Sequence, residues 1–144
     1  MNGGRYYEYT TYNYDDYGNA LILEVNDSRY TMTYTYDENG NPLTQECQDA
    51  EGNIVFRSAS TFDAKNKLLT TVYRDAQGRV TDQYAYTYDS DGNLLSEERR
   101  DADGQLKERS AYTRDDSGRI LITERDSDGD GTVDLHLYRT WSCD

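Results

Sequence analysis

A D-x-x-G tetrapeptide returns along this chain at alternating intervals, and that rhythm constrains the fold more than any other feature. It stands at Asp15–Gly18, Asp37–Gly40, Asp49–Gly52, Asp75–Gly78, Asp89–Gly92, Asp101–Gly104 and Asp115–Gly118, with Asp63–Asn66 as a variant. From Asp37 onward successive copies lie 12 and 14 residues apart in strict alternation, so the full period is 26 residues. Self-similarity at a fixed period marks a repeat architecture, each unit leaning on its neighbours.

Each tetrapeptide has the chemistry of a hairpin turn. The Asp carboxylate accepts from backbone N–H groups one or two residues on. The next two positions tolerate right-handed helical angles, and Gly supplies the positive φ of a type I turn closed by a G1 bulge. Asn66 replaces Gly in one copy, and Asn is the next most tolerant residue there. The turn-forming set is therefore Asp37, Gly40, Asp49, Gly52, Asp75, Gly78, Asp89, Gly92, Asp101, Gly104, Asp115 and Gly118.

Arms of strand length separate the turns. The short arms read NPLTQECQ, KLLTTVYR and NLLSEERR; the long arms read NIVFRSASTF, RVTDQYAYTY and QLKERSAYTR. Short turns between such arms force antiparallel neighbours. RYYEYTTYNY, NALILEV and YTMTYTY add three strands upstream, with Asn26–Arg29 as an irregular turn, and RILITER and LHLYRTW add two downstream. The expectation is an all-β domain over residues 1–144, an antiparallel meander of about eleven strands, open or rolled, with its best repeats in 30–141.

The side chains suit that picture. Fifteen tyrosines against two Phe and one Trp leave little for a thick aliphatic core but fit a half-buried pleated surface. So many aromatics also argue against disorder. Period-2 reading puts Val80, Asp82, Tyr84, Tyr86 and Tyr88 on one face, with Leu106, Ser110 and Tyr112 in phase one copy later and Ile54, Phe56 and Phe62 one copy earlier. Leu43, Leu68, Leu69, Leu94 and Leu95 follow directly after turns. Sheet packing accounts for most of the tyrosines. Tyr7, Tyr9, Tyr84 and Tyr86 are the candidates for a binding surface, towards carbohydrate or a cell-surface protein.

The net charge of −13 disfavours nucleic acid and anionic lipid and suits a protein that holds cations. No apolar run is long enough to cross a membrane, and MNGGRYYEY shows no signal-peptide core. Cys47 and Cys143 exclude a disulfide framework and leave one bridge or two free thiols equally open.

The phrases YTYDENGNPL (34–43), YTYDSDGNLL (86–95) and YTRDDSGRIL (112–121) resemble the YD repeat of the rearrangement-hotspot (Rhs) and teneurin-like families. Tyr36-Asp37, Tyr88-Asp89, Gly40, Gly92 and Gly118 carry the match, and Arg114 replaces the Tyr in the last copy. The resemblance implies spiralling β-sheets that enclose a toxin or build adhesion structures. With this few repeats it implies a short stand-alone bacterial member, secreted or displayed at the cell surface.

Asp126-Ser-Asp128-Gly-Asp130-Gly131-Thr132-Val-Asp134 breaks the turn pattern and fits D-x-D-x-D-G-x-x-D. Ca²⁺ takes six to eight hard oxygens in a flexible cage. Asp126, Asp128 and Asp130 supply alternate carboxylates, Gly131 the bend, the Thr132 carbonyl a further oxygen, and Asp134 closes the cage. The twelfth position is Leu137 and not Glu, so the loop is similar to the integrin-type hairpin form and not to an EF-hand. Asp89-Ser-Asp91-Gly92 and Asp101-Ala-Asp103-Gly104 lack the third Asp and read as turns.

His136 is the only histidine, no nucleophile elbow accompanies it, and no phosphate-binding glycine loop is present. The expected function is a non-enzymatic, calcium-stabilised β-repeat module acting in adhesion or structure. The alternatives are a fibre subunit that associates through its sheet edges, and an Rhs-like shell fragment associated with a toxin.

Overall fold

The chain is seen in a computed structural model that describes residues 9–11, 14–18, 22–25 and 28–139. The strands are β1 (Tyr9–Thr11), β2 (Ile22–Val25), β3 (Ser28–Tyr36), β4 (Pro42–Gln48), β5 (Ile54–Phe62), β6 (Leu68–Asp75), β7 (Val80–Tyr88), β8 (Leu94–Asp101), β9 (Leu106–Arg114), β10 (Ile120–Asp126) and β11 (Leu135–Tyr138). Their hydrogen-bonded order is their chain order, with β1 and β11 at the two ends, so the meander is open. The paired registers are antiparallel. The chain divides into two units, Met1–Ala59 with Arg74–Arg79, and Ser60–Tyr73 with Val80–Asp144.

The turns form as the tetrapeptides require, with one refinement. In the Asp37 turn, Gly40 N–H donates to the Asp37 carbonyl at 3.1 Å and Asp37 N–H to the Asn41 carbonyl at 3.0 Å. The register beside it slips by one residue between Thr35 and Tyr36, which is the G1 bulge. The same pair of backbone bonds recurs at Asp49, Asp63, Asp75, Asp89, Asp101 and Asp115. Gly78 carries φ +81°, and Asn66 takes the same left-handed conformation at +63°. The carboxylate accepts from the N–H group two residues on, as expected, and also from the one four residues on: Asp37 Oδ1 from Asn39 and Asn41, each at 2.9 Å.

That four-residue reach explains the Asn or Arg that follows Gly40, Gly52, Gly78, Gly92 and Gly118. Asn41, Asn53 and Asn93 donate through Nδ2 to Oδ2 of Asp37, Asp49 and Asp89 at 2.8, 3.0 and 3.0 Å. Arg79 and Arg119 donate through Nε to Asp75 and Asp115 at 2.7 Å. Both carboxylate oxygens are thereby engaged, and the ionised form is favoured.

In the first unit, Met32 lies opposite Cys47 across β3 and β4, and these two are the buried hydrophobic residues among those described. Cys47 is a free thiol, and burial pushes its pKa up. Cys143 lies outside the described residues. Tyr36 donates to Asp15 through its phenol, and Tyr17 packs against the Tyr36 ring at a tilt, 4.2 Å between centroids.

In the second unit the stabilisation is spread over repeated cross-strand pairs, each worth roughly 0.2–1 kcal/mol. Thr61 and Thr70 share a hydroxyl hydrogen bond at 2.7 Å, as do Thr87 and Ser96, one period later. Asp82–Arg99 and Glu108–Arg125 are ion pairs one period apart. Turns one period apart also touch: Lys65 Nζ donates to the Ser90 carbonyl, and Asn93 lies over Gly118.

Candidate metal centre

The loop 127–134 joins β10 to β11 and is held from three sides. Asp126, the last residue of β10, is buried, and its two oxygens accept the backbone N–H groups of Gly129 at 2.6 Å and Gly131 at 2.9 Å. Asp128 accepts the Asp130 N–H at 3.1 Å, and Asp130 accepts the Thr132 N–H at 2.7 Å and its hydroxyl. Asp134 Oδ2 accepts both the N–H and the hydroxyl of Ser127, and Asp134 N–H returns to the Arg125 carbonyl at 2.8 Å.

Gly129 has a further reason to lack a side chain. Its φ is +77°, and a Cβ there would stand 2.1 Å from the Leu106 carbonyl oxygen and 2.4 Å from its carbon. Loop backbone is seated directly on the start of β9. Beneath it lies a cavity of about 100 Å³, bounded by Leu106, Arg109, Glu124, Asp126 and Val133.

Carboxylate oxygens of Asp126, Asp128 and Asp130 all lie within 4.8 Å of one another, so the trio could hold a metal ion. Asp126 is buried, while Asp128 and Asp130 are exposed. Each carboxylate oxygen has a second lone pair beyond the hydrogen bond it accepts, and an all-oxygen donor set suits a hard cation. Hydrogen bonds from the Thr132 hydroxyl and backbone hold the Asp130 carboxyl below the usual carboxylate range, and those from Ser127 do the same for Asp134. Both therefore stand ionised at neutral pH. Asp134 is not among the carboxylates whose oxygens lie within 4.8 Å of one another, and its Oδ2 accepts from Ser127.

The other sequence-derived sites fall as follows. Tyr84 and Tyr86 lie on β7, half-buried, on the face that also carries Asp82 and, on β8, Glu97 and Arg99. Tyr84 meets Tyr73 edge-on at 5.9 Å. Tyr7 lies outside the described residues, and Tyr9 enters only as a backbone partner in β1. His136 is exposed on β11, with Nδ1 3.4 Å from Glu124. Among the described residues there is no helix, so none is long and apolar enough to cross a membrane.

Sequence reasoning missed Gly129 and the Tyr88–Leu68 contact. The Gly129 signal was absent because a clash with β9 depends on tertiary placement. The Tyr88 signal was present as the Tyr of each Tyr-Asp pair. Tyr88 Oη donates to the Leu68 carbonyl at 2.9 Å, and one period on Arg114 donates to the Leu94 carbonyl at 3.3 and 3.4 Å.

No family model matches the chain, and no curated protein matches it in sequence. Among solved structures it is similar to a porin-like protein from Bacteroides uniformis, at 15% identity and TM-score 0.49, over 85% of this chain and 49% of that one. It is also similar to part of the Photorhabdus luminescens Tc holotoxin pore (TccC3-D651A mutant), at 17% identity and TM-score 0.31, over 77% of this chain and 7% of that one. A third likeness, to TcdB2-TccC3 without its hypervariable C-terminal region, has 17% identity and TM-score 0.31 over 78% and 7%. The chain thus spans about half the length of the first and a small fraction of the other two.

Proposed function

We propose that this chain is a structural β-repeat module, a wall segment of the kind that YD-repeat sheets build around a cargo, with calcium fixing its last hairpin. The observation that carries this reading is the recurrence of whole bonding sets at 26-residue intervals. Tyr88–Leu68 recurs as Arg114–Leu94, Thr61–Thr70 as Thr87–Ser96, and Asp82–Arg99 as Glu108–Arg125. A sheet that repeats its turns and cross-strand pairs, and buries few side chains among those described, is built to cover area by adding units. The Asp126–Asp128–Asp130 trio supports calcium because all its donors are hard oxygens and the loop positions them through backbone bonds.

A wall tolerates the loss of a whole unit. Deleting residues 76–101 removes β7 and β8 and joins Asp75 to Ala102-Asp-Gly104, which regenerates a turn tetrapeptide. The shortened chain is expected to keep a β-type circular dichroism spectrum and a cooperative melt. Loss of the cooperative transition would show that the 26-residue unit is not interchangeable and would remove the wall reading.

A further inference from the structure

One copy of the repeat departs from the others on a single face, and the departure builds a cavity. On β7, β8 and β9, Tyr86 lies opposite Glu97, and Glu97 opposite Ser110. Tyr84, one step along, lies opposite Arg99. With Glu108 these residues bound an open cavity of about 160 Å³, too small for a drug-sized molecule but adequate for one short side chain.

Its charges are arranged unevenly. Arg99 is closed in an ion pair with Asp82 at 2.8 Å, and Glu108 is closed with Arg125. Glu97, half-buried between them, accepts the Tyr112 phenol at 2.9 Å and forms no ion pair among the described residues, with Arg125 acting on it only through space. The positions one period before and after Glu97 are Thr71 and Thr123, so a carboxylate stands only in this copy. Tyr84 is likewise exceptional, because its counterparts are Ser58 and Ser110. An aromatic floor beside a carboxylate that no ion pair closes attracts an organic cation, through the ring quadrupole and the charge together.

We propose that this cavity receives an alkylammonium group, the end of a lysine side chain from a partner polypeptide, with Glu97 as counter-ion and the Tyr84 and Tyr86 rings against its methylene stem. The occupant is cationic because the acidic partner is already supplied by this chain, and the net charge of −13 steers basic segments towards it.

The test is an NMR titration of the full chain with Nα-acetyl-lysine methylamide, read at the Tyr84, Tyr86 and Ser110 resonances. Saturable shifts are expected there. They should weaken roughly five-fold or more in Glu97→Gln, which keeps the shape and removes the charge. Glu124→Gln, on the opposite face, should leave them unchanged, and matched melting temperatures exclude unfolding as the cause. Equal response to the norleucine analogue, an unaffected Glu97→Gln variant, or no saturable shift would each overturn the proposal. So would saturable shifts with methyl glucoside alone, which would make the surface a neutral sugar platform.

Discussion

The Tyr88 phenol reaches back twenty residues to donate to the Leu68 carbonyl, and in the next copy Arg114 makes the corresponding bond to Leu94. The Tyr of the Tyr-Asp pair thus ties the end of a long arm to the start of the short arm before it, beside the bulge at Thr87/Tyr88. Tyr88→Phe keeps the ring and removes the donor, as Phe62 already does one period earlier. Denaturant unfolding should show a loss of about 1 kcal/mol. An unchanged midpoint would mean that the ring alone does the work.

The positive-φ positions separate backbone strain from steric exclusion. At Gly78 a Cβ would meet no atom within 4 Å, so Gly78→Ala should cost only the conformational strain, about 1–2 kcal/mol. At Gly129 the same change adds a clash with the Leu106 carbonyl, and the loss should be clearly larger. Equal losses in denaturant titrations would show that the loop 127–134 is not seated on β9.

Acid should loosen the turns together. The side-chain amides of Asn41, Asn53 and Asn93 hold Asp37, Asp49 and Asp89 below the usual carboxylate range. The Arg79 and Lys107 side chains do so for Asp75 and Asp101, and chiefly the Arg119 backbone N–H for Asp115. Because the folded-state pKa values are depressed, the stabilisation is present above the unfolded carboxylate value. It is lost as pH falls through the lower folded values. Melting temperature should therefore be flat on this account between pH 7 and 5 and fall below about pH 4. Asp49→Asn should flatten that fall slightly, and an unaltered acid slope would speak against the assignment.

Calcium should stabilise the folded chain. At about 100 times its Kd it adds roughly 2.7 kcal/mol, a rise of roughly 5–10 °C for a chain of this size. Asp128→Asn should abolish most of the rise, measured by calorimetry against chelator. The same midpoint with calcium and with chelator would remove the metal from the account.

The turns and the strand order were legible because each Asp and Gly acts on its own neighbourhood. Asp37 and Gly40 need no distant partner to reverse the chain. The Asn or Arg after Gly40, Gly52, Gly78, Gly92 and Gly118 was visible as a letter but not as a ligand, since its reach to the Asp four residues back depends on the bulge. The candidate metal loop was half legible. Asp126, Asp128 and Asp130 converge as their spacing demands, whereas Asp134 is drawn to Ser127 by a local bond that spacing does not encode. Glu97 could not be singled out in advance, because its freedom from an ion pair depends on Arg99 and Arg125 pairing with Asp82 and Glu108.

The most direct measurement is small-angle X-ray scattering on a chain in which residues 76–101 are duplicated in tandem. Two additional strands at ordinary interstrand spacing should lengthen the molecule by roughly 10 Å along the hydrogen-bonding direction, with a single cooperative melt retained. An unchanged maximum dimension, or a separately unfolding insert, would contradict a wall built from 26-residue units.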